Sequence, residues 1–398
     1  MNIAFITPGI LPLPPVDGGA VENLIQMFID ENEVTGEHNI TVYSIESDKA
    51  KLAAKKYNYC EYKYTDLSGI VNRTKIAYRH IINRFLPIYI GNVYISKVKR
   101  MLEIEKPNFD IVIVENKPQY GLVLSELFPN NMVLHLHNDW LNSNTKFAKQ
   151  TLNSFHAIFT ISNFINSSVR TIYESKKIQT LYNGIDLEKF NPILYNQSNI
   201  RKKYGLSDDD VIILYSGRLV PEKGIKELLE AFCLVTDHSN AKLVIVGSSF
   251  YSNKSNDKFS IDLKKKVNGN IIFTGFIEYE QMPEVYSIAD IGVIPSIWEE
   301  PFALTVIEQM AMQTPVIISD SGGMIELVDD KSAYIVKRGD SFIKQLKESI
   351  VRLIEEKDIR KSMGENARLK AKEFSKKKYS IDFNSLLYKA NEELRNKK

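Results

Sequence analysis

The chain has 398 residues, of which 44% are hydrophobic, 25% charged and 10% aromatic, with 51 basic against 49 acidic side chains and a formal charge of +2. This is ordinary globular composition, which excludes a disordered chain, a collagen-like fibre and a coiled coil, and the near-neutral balance gives no global attraction for nucleic acid. No run of 18 apolar residues is present to cross a membrane, and no basic region precedes the first apolar stretch, which argues against a secretory signal. Two cysteines, Cys60 and Cys233, build neither a disulfide framework nor a metal cluster and fit a reducing, cytoplasmic setting.

Short apolar runs alternate with helical patterns from end to end. In the first half, strands are predicted at 3–7, 40–44, 111–114, 132–135 and 157–161. In the second half, they are predicted at 211–215, 243–246, 271–273, 291–294, 316–318 and 334–336. Strands this apolar, separated by helices, belong to parallel sheets covered on both faces. Helical spacing of apolar residues is clearest at 20–28 and 343–354. Two such arrays predict an α/β protein of two doubly wound Rossmann-like domains facing across a cleft, spanning 1–190 and 200–374. The boundary lies between Asp186 and Asp210, where Pro192 and polar residues replace strand pattern. The charged amphipathic segment 375–398 is expected to be a helix packing back across the domain junction.

Charge is unevenly spread. Residues 1–48 hold eight acids and no Lys or Arg, whereas 71–100 hold seven cations (Arg73, Lys75, Arg79, Arg84, Lys97, Lys99, Arg100) and no acid. These cations alternate with Ile76, Tyr78, Ile81, Ile82, Phe85, Leu86, Ile88 and Tyr89. Such a stretch fits an anionic membrane surface, an anionic acceptor, or a solvated helix face whose apolar side joins the core.

Ligands of open α/β sheets bind beyond the carboxyl ends of strands, and the polar motifs fall there. Gly18-Gly19, after strand 3–7 and a Pro-rich loop, opens a helix. It reads either as a close backbone approach to an anion or as a tight turn. Ser216-Gly217-Arg218 through Lys223-Gly224 follows strand 211–215. An Arg fork with a Lys point charge is a natural clamp for a diphosphate. Glu299-Glu300-Pro301-Phe302-Ala303-Leu304-Thr305 through Glu308 follows strand 291–294. Pro301 is expected in the first helical turn, with Ala303, Leu304 and Thr305 presenting free N–H groups. With a diphosphate on those groups, Glu308 would accept from a ribose hydroxyl and Glu300 would hold a sugar hydroxyl.

His135 and His137 share one side of a strand end. His135 reads as a core group; His137 reads equally as core or as site lining, and no third residue at metal-ligand spacing is evident. Asp208-Asp209-Asp210 precedes a strand, at the wrong end of the sheet, so no required metal is predicted.

Together these loops resemble the family 4 retaining glycosyltransferases of the GT-B fold. The resemblance spans nearly the whole chain. It is carried in order by Gly18-Gly19, Tyr182-Asn183-Gly184-Ile185-Asp186 with Phe190 and Pro192, Gly217-Arg218 with Lys223-Gly224, Gly275-Phe276, Glu300 with Glu308, and Gly322-Gly323 with Glu326. It implies an N-terminal acceptor domain and a C-terminal donor domain. Arg218 and Lys223 would bind the donor diphosphate, Glu308 the ribose, and Glu300 the donor sugar. Gly275 to Ile277 would lie against the base, Gly19 would approach the phosphates, and His137 would lie near the reacting sugar. Ala303 stands where the family usually has Gly, and Gly247-Ser248-Ser249 stands where it often has Gly-x-Gly.

The implied activity is metal-independent, retaining transfer from a nucleotide sugar, a UDP-sugar foremost, to a glycan or lipid-linked acceptor in cell-envelope polysaccharide or glycoconjugate synthesis. No further cofactor is required. The expected place is the cytoplasm or the inner face of the membrane. The competing readings are a sugar-nucleotide epimerase of the same fold and a non-catalytic protein that binds nucleotide sugars or glycans.

Overall fold

The computed structural model describes the chain apart from residues 70, 71, 73, 76, 77, 80, 81, 83–89, 173, 175, 176, 236, 237, 249–257, 265–268, 397 and 398. It divides into two compact units, Met1–Gly184 with Lys376–Lys398, and Ile185–Ser375. Residues 186–210 therefore belong to the second unit, with a turn at Pro192–Leu194 and a helix at Gln197–Lys203. Arg201 of that helix ties the segment down. It donates to the carbonyls of Asp210 at 2.8 Å and Ile288 at 3.1 Å and pairs with Asp290 at 2.8 Å.

The first unit holds a seven-stranded sheet: β1 (Asn2–Ile6), β2 (Asn39–Ile45), β3 (Cys60–Thr65), β4 (Ile111–Glu115), β5 (Met132–Leu136), β6 (Ala157–Thr160) and β7 (Ile178–Thr180). Their order is β3-β2-β1-β4-β5-β6-β7, and every pair is parallel. β3 and β7 are additions to the sequence reading, and both lie at sheet edges. Interior parallel strands are covered on both faces and read as unbroken apolar runs, while edge strands are not. β3 is Cys-Glu-Tyr-Lys-Tyr-Thr, and β7 has only three residues.

The second unit holds β8 (Val211–Ser216), β9 (Ala241–Val246), β10 (Ile271–Gly275), β11 (Ile291–Ile294), β12 (Val316–Ser319) and β13 (Ala333–Val336). These are parallel in the order β10-β9-β8-β11-β12-β13.

Strand order reverses once in each sheet, with β1 between β2 and β4 and β8 between β9 and β11. The crevice beyond the carboxyl ends at such a switch point is where open α/β sheets bind ligands. The loops after β1 and β4 carry Gly18-Gly19 and Asn116-Lys117. Those after β8 and β11 carry Arg218-Lys223 and Glu300.

The terminal helix Lys376–Arg395 belongs to the first unit. Its Phe383 is fully buried, with ring centroids 4.7 Å from Phe28, 6.2 Å from Phe5 and 5.9 Å from Phe159. An aromatic of this size contributes about 3–5 kcal/mol over alanine in a core. Among the described residues, no helix is long and apolar enough to cross a membrane.

Candidate functional site

In the second unit the loops beyond β8, β9, β11 and β12 are stitched into one surface. Gly217 N–H donates to Val246 O at 3.0 Å, Gly247 N–H to Gly275 O at 2.9 Å, and Ile297 N–H to Glu222 O at 3.0 Å. Two glycines permit this approach. A Cβ on Gly247 (φ +135°) would stand 1.9 Å from Gly217 O, and one on Gly224 (φ +67°) 1.9 Å from Pro295 O. Both positions combine a left-handed backbone with contact against backbone atoms that cannot give way.

This stitching brings Lys223 to Glu300. Lys223 Nζ lies 2.6 Å from Glu300 Oε1, and Ser296 Oγ donates to the same oxygen at 2.5 Å. The Glu300 side chain is 5% accessible and that of Lys223 22%. Among the described residues no hydrogen bond reaches Glu300 Oε2, which leaves an acceptor for a ligand hydroxyl. The Glu300 backbone is fixed too, donating to Ser321 Oγ at 2.9 Å and accepting from Gly323 N–H at 2.7 Å. Arg338 clamps the preceding residues, meeting Glu299 at 2.8 Å and Asp320 at 3.0 Å. Arg218 is more exposed, and its ion pair is with Glu222 at 3.8 Å. Its carbonyl accepts from Tyr215 Oη at 2.8 Å. Burial raises the Tyr215 phenol, the Glu300 charge raises it further, and the Arg218 charge opposes them, so both side chains act on one buried group.

Glu308 lies in the helix Leu304–Ala311 and is buried. It accepts from Tyr286 Oη at 2.8 Å, and Tyr286 is in turn 2.7 Å from Ser216 Oγ. Burial pushes the Glu308 carboxyl up to about 7, against the pull of Tyr286, Lys189 and Tyr279. Pro301 precedes this helix rather than lying in its first turn. The N–H groups of Ala303, Leu304 and Thr305 have no partner among the described residues, and the first N–H used is Val306 to Ala303 O at 3.1 Å.

Ala303 itself caps the helix at φ +70°. An L-residue with a Cβ pays about 1–2 kcal/mol there, and the entropy of a glycine offsets about 0.5–1 of that. Ala303→Gly is therefore expected to leave stability unchanged or raise it by up to about 1 kcal/mol. A melting-temperature loss of several degrees would contradict this account.

In the first unit, Gly18 and Gly19 form the turn that opens the helix Ala20–Thr35. Glu22 of its first turn folds back on Gly19, so that a Cβ on Gly19 would meet Glu22 Oε2 at 2.3 Å. Burial raises Glu22 to about 7; the Glu115 charge adds to this, and Glu22's own N–H opposes it.

Glu115 is the last residue of β4, faces His135 across the β4–β5 register and is fully buried. His135 Nδ1 lies 3.2 Å and His137 Nε2 2.9 Å from Glu115 Oε2. This corrects the expectation that no third residue accompanies the histidines. The three ligand atoms lie within 4.8 Å of one another, close enough to hold a metal ion. The far nitrogen of His135, Nε2, is buried without a hydrogen-bond partner. A metal on Nδ1 would force a proton onto Nε2 and bury an unmet donor, whereas donation from Nδ1–H to Glu115 leaves only a lone pair there. The residues fit a hydrogen-bonded trio better than a metal centre.

Gly275 and Ile277 are half-buried at the end of β10. Asp208 and Asp209 are exposed, before β8. Of the basic stretch, Arg73 and Arg84 lie outside the described residues, as do Ile76, Ile81, Phe85, Leu86, Ile88 and Tyr89; Ser249 does too. Arg79 donates to Asn92 O at 3.1 Å, Lys97 to Asp66 O at 2.6 Å, and Lys99 pairs with Glu126 at 2.8 Å. Of the five described cations, these three thus make contacts within the chain.

Residues 196–370 match the sequence model of the family described as Glycosyl transferases group 1. The putative glycosyltransferase YtcC of Bacillus subtilis is 29% identical over 92% of this chain and 87% of its own length. The lipopolysaccharide 1,2-N-acetylglucosaminetransferase of Salmonella typhimurium is 31% identical over 55% of this chain and 57% of its own. Among solved structures, Anabaena HepE in complex with UDP-glucose superposes with a TM-score of 0.74 at 16% identity, covering 98% of this chain and all of that one. Residues 196–370 are thus similar in sequence to the group 1 glycosyl transferases, and the two parallel-sheet units share the GT-B fold of the solved structures.

Proposed function

We propose that the chain moves a sugar from a nucleotide-sugar donor, a UDP-sugar foremost, to a glycan or lipid-linked acceptor during assembly of a cell-envelope polysaccharide. One observation carries the donor half of this reading. The unpartnered N–H groups of residues 303–305 stand between Glu300 and Glu308, and Lys223 is bonded to Glu300, all beyond the switch-point strands β8 and β11. A diphosphate fits the helix N–H groups and the cations, the ribose diol fits Glu308, and a sugar hydroxyl fits Glu300 Oε2. The relatives named for lipopolysaccharide synthesis and the UDP-glucose complex of the same fold support the donor class and the acceptor class.

In this reading the bond from the sugar C1 to the diphosphate oxygen breaks as the acceptor oxygen bonds to C1 on the same face. The acceptor proton passes to the departing diphosphate, so configuration is retained. Arg218, Lys223 and the helix N–H groups stabilise the charge growing on the diphosphate, which is the work a divalent ion does elsewhere. Gly19 approaches the phosphates, Gly275 to Ile277 contact the base, and His137 contacts the reacting sugar.

A panel of nucleotide sugars tests it by thermal shift. The true donor at 100 times its Kd stabilises the protein by about 2.7 kcal/mol. Turnover persists in chelator, and product NMR shows the donor's anomeric configuration. No shift with any nucleotide sugar, or turnover abolished by chelator and restored by a divalent ion, overturns it.

A further inference from the structure

Glu115 is a carboxylate with no accessible surface, on a strand whose other residues, Ile111 to Val114, are all apolar. Core packing alone gives no reason for a charge there, since an apolar residue would close the strand end without any desolvation cost. Its partners are two imidazoles, and their other contacts differ. His135 is enclosed, with its ring centroid 5.3 Å from Phe383. His137 keeps 6% of its side chain accessible, and its N–H donates to Asn116 Oδ1 at 3.0 Å. Asn116, at φ +49°, also donates its own N–H to His135 O at 2.8 Å, so the ends of β4 and β5 are locked in register. The imidazole of His137 is thus held at Nε2 by a carboxylate, while among the described residues no hydrogen bond reaches its Nδ1.

We infer that Glu115 is a positioning residue for sugar transfer: by accepting the Nε2 proton of His137 it fixes that ring as the neutral Nε2–H tautomer and leaves Nδ1 as a lone-pair acceptor for a substrate hydroxyl. The inference rests on His137 acting at the transfer site, as proposed above. An ionised carboxylate has no proton to give, so the 2.9 Å contact requires the proton on Nε2. Charge on the ring is opposed from two sides. Burial pushes the His137 imidazolium down to about 4, and the His135 ring acts in the same direction, against Glu115. The other titratable groups facing Glu115 are Glu22, which is itself raised, and the buried Tyr379 phenol. A neutral ring with a bare Nδ1 accepts a hydrogen bond from a hydroxyl of the reacting sugar; the opposite tautomer would present a donor there instead.

The test is nitrogen-15 histidine NMR on the full chain, beside steady-state kinetics. The expected wild-type result at pH 7 is a His137 ring with a protonated Nε2 and a bare Nδ1. Glu115→Gln removes one of the two carboxylate oxygens that the rings share. Its kcat falls about 10–100-fold, while the donor KM and the donor-induced thermal shift, which rest mainly on Arg218, Lys223 and Glu308, stay within twofold. Glu115→Asp, which keeps the charge, recovers part of the kcat. A wild-type ring protonated on Nδ1, an imidazolium at pH 7, a stoichiometric metal on the trio, or an unchanged kcat in Glu115→Gln overturns this inference alone. A wild-type protein that transfers no sugar from any donor overturns it together with the proposed function. The wild-type spectrum needs no variant, so a Glu115→Gln chain that does not fold still leaves the tautomer decided.

Discussion

Lys223→Ala is expected to lower kcat by about 10²–10³-fold, the range seen when one preorganised charge or donor is removed from a developing anion. Two losses combine. The diphosphate loses a point charge, and the Glu300 carboxylate, 5% accessible, keeps only Ser296 as a side-chain partner among the described residues. Breaking a fully buried pair costs about 3–5 kcal/mol; with Lys223 22% accessible, about 1–3 is expected. The double variant Lys223→Ala with Glu300→Gln separates fold from chemistry. It removes both charges, so melting temperature recovers most of the loss while kcat stays low. A single variant within fivefold of wild-type kcat would remove Lys223 from the reaction.

The same pair shows what the sequence makes legible. Lys223 and Glu300 are far apart in sequence, yet each directly follows an apolar strand, and adjacent parallel strands bring such loops to one end of a sheet. Linear motifs after strands were enough for this part of the site. Glu115 was not legible in that way. Its meaning comes from the β4–β5 register, which sets it opposite His135, and a single acid ending Ile-Val-Ile-Val-Glu has no local pattern of its own. The signal that was present is the cost of burying it: a charge appended to an otherwise apolar interior strand needs a partner, and two histidines end the next one. Arg338, Asp320 and Ser321, which hold the Glu299-Glu300 segment, were missed for the same reason, because they act across strand ends. Ala303 is the opposite case. The family resemblance implies glycine at this position, and the strain at φ +70° is the physical counterpart of the alanine found there. The edge strands β3 and β7 escaped because an edge needs no continuous apolar run.

Glu308→Gln is expected to raise the donor KM by about 10–100-fold, the loss of charge-assisted bonds to the ribose hydroxyls, and at the same time to make the free protein more stable. The folded carboxyl titrates at about 7 because burial disfavours its charge, whereas an unfolded glutamate titrates near 4.3. Between those values the folded chain holds a proton that the unfolded chain has released. Stability therefore falls as pH rises through this window, and the deficit is complete above pH 7. A shift of this size corresponds to about 4 kcal/mol at most, and Gln escapes it while keeping an oxygen for Tyr286. Melting temperatures of variant and wild type should thus coincide near pH 4.5 and separate at pH 8 with the variant higher. Glu22, also raised to about 7, is present in both proteins and cancels from the difference. Donor binding runs the other way. The ribose needs the carboxylate, so wild-type donor KM rises as pH drops below about 7, by up to tenfold per unit, and the variant's KM stays flat. A variant that binds donor as well as wild type, or that is no more stable at pH 8, would mean that the buried charge on Glu308 serves the fold rather than the nucleotide.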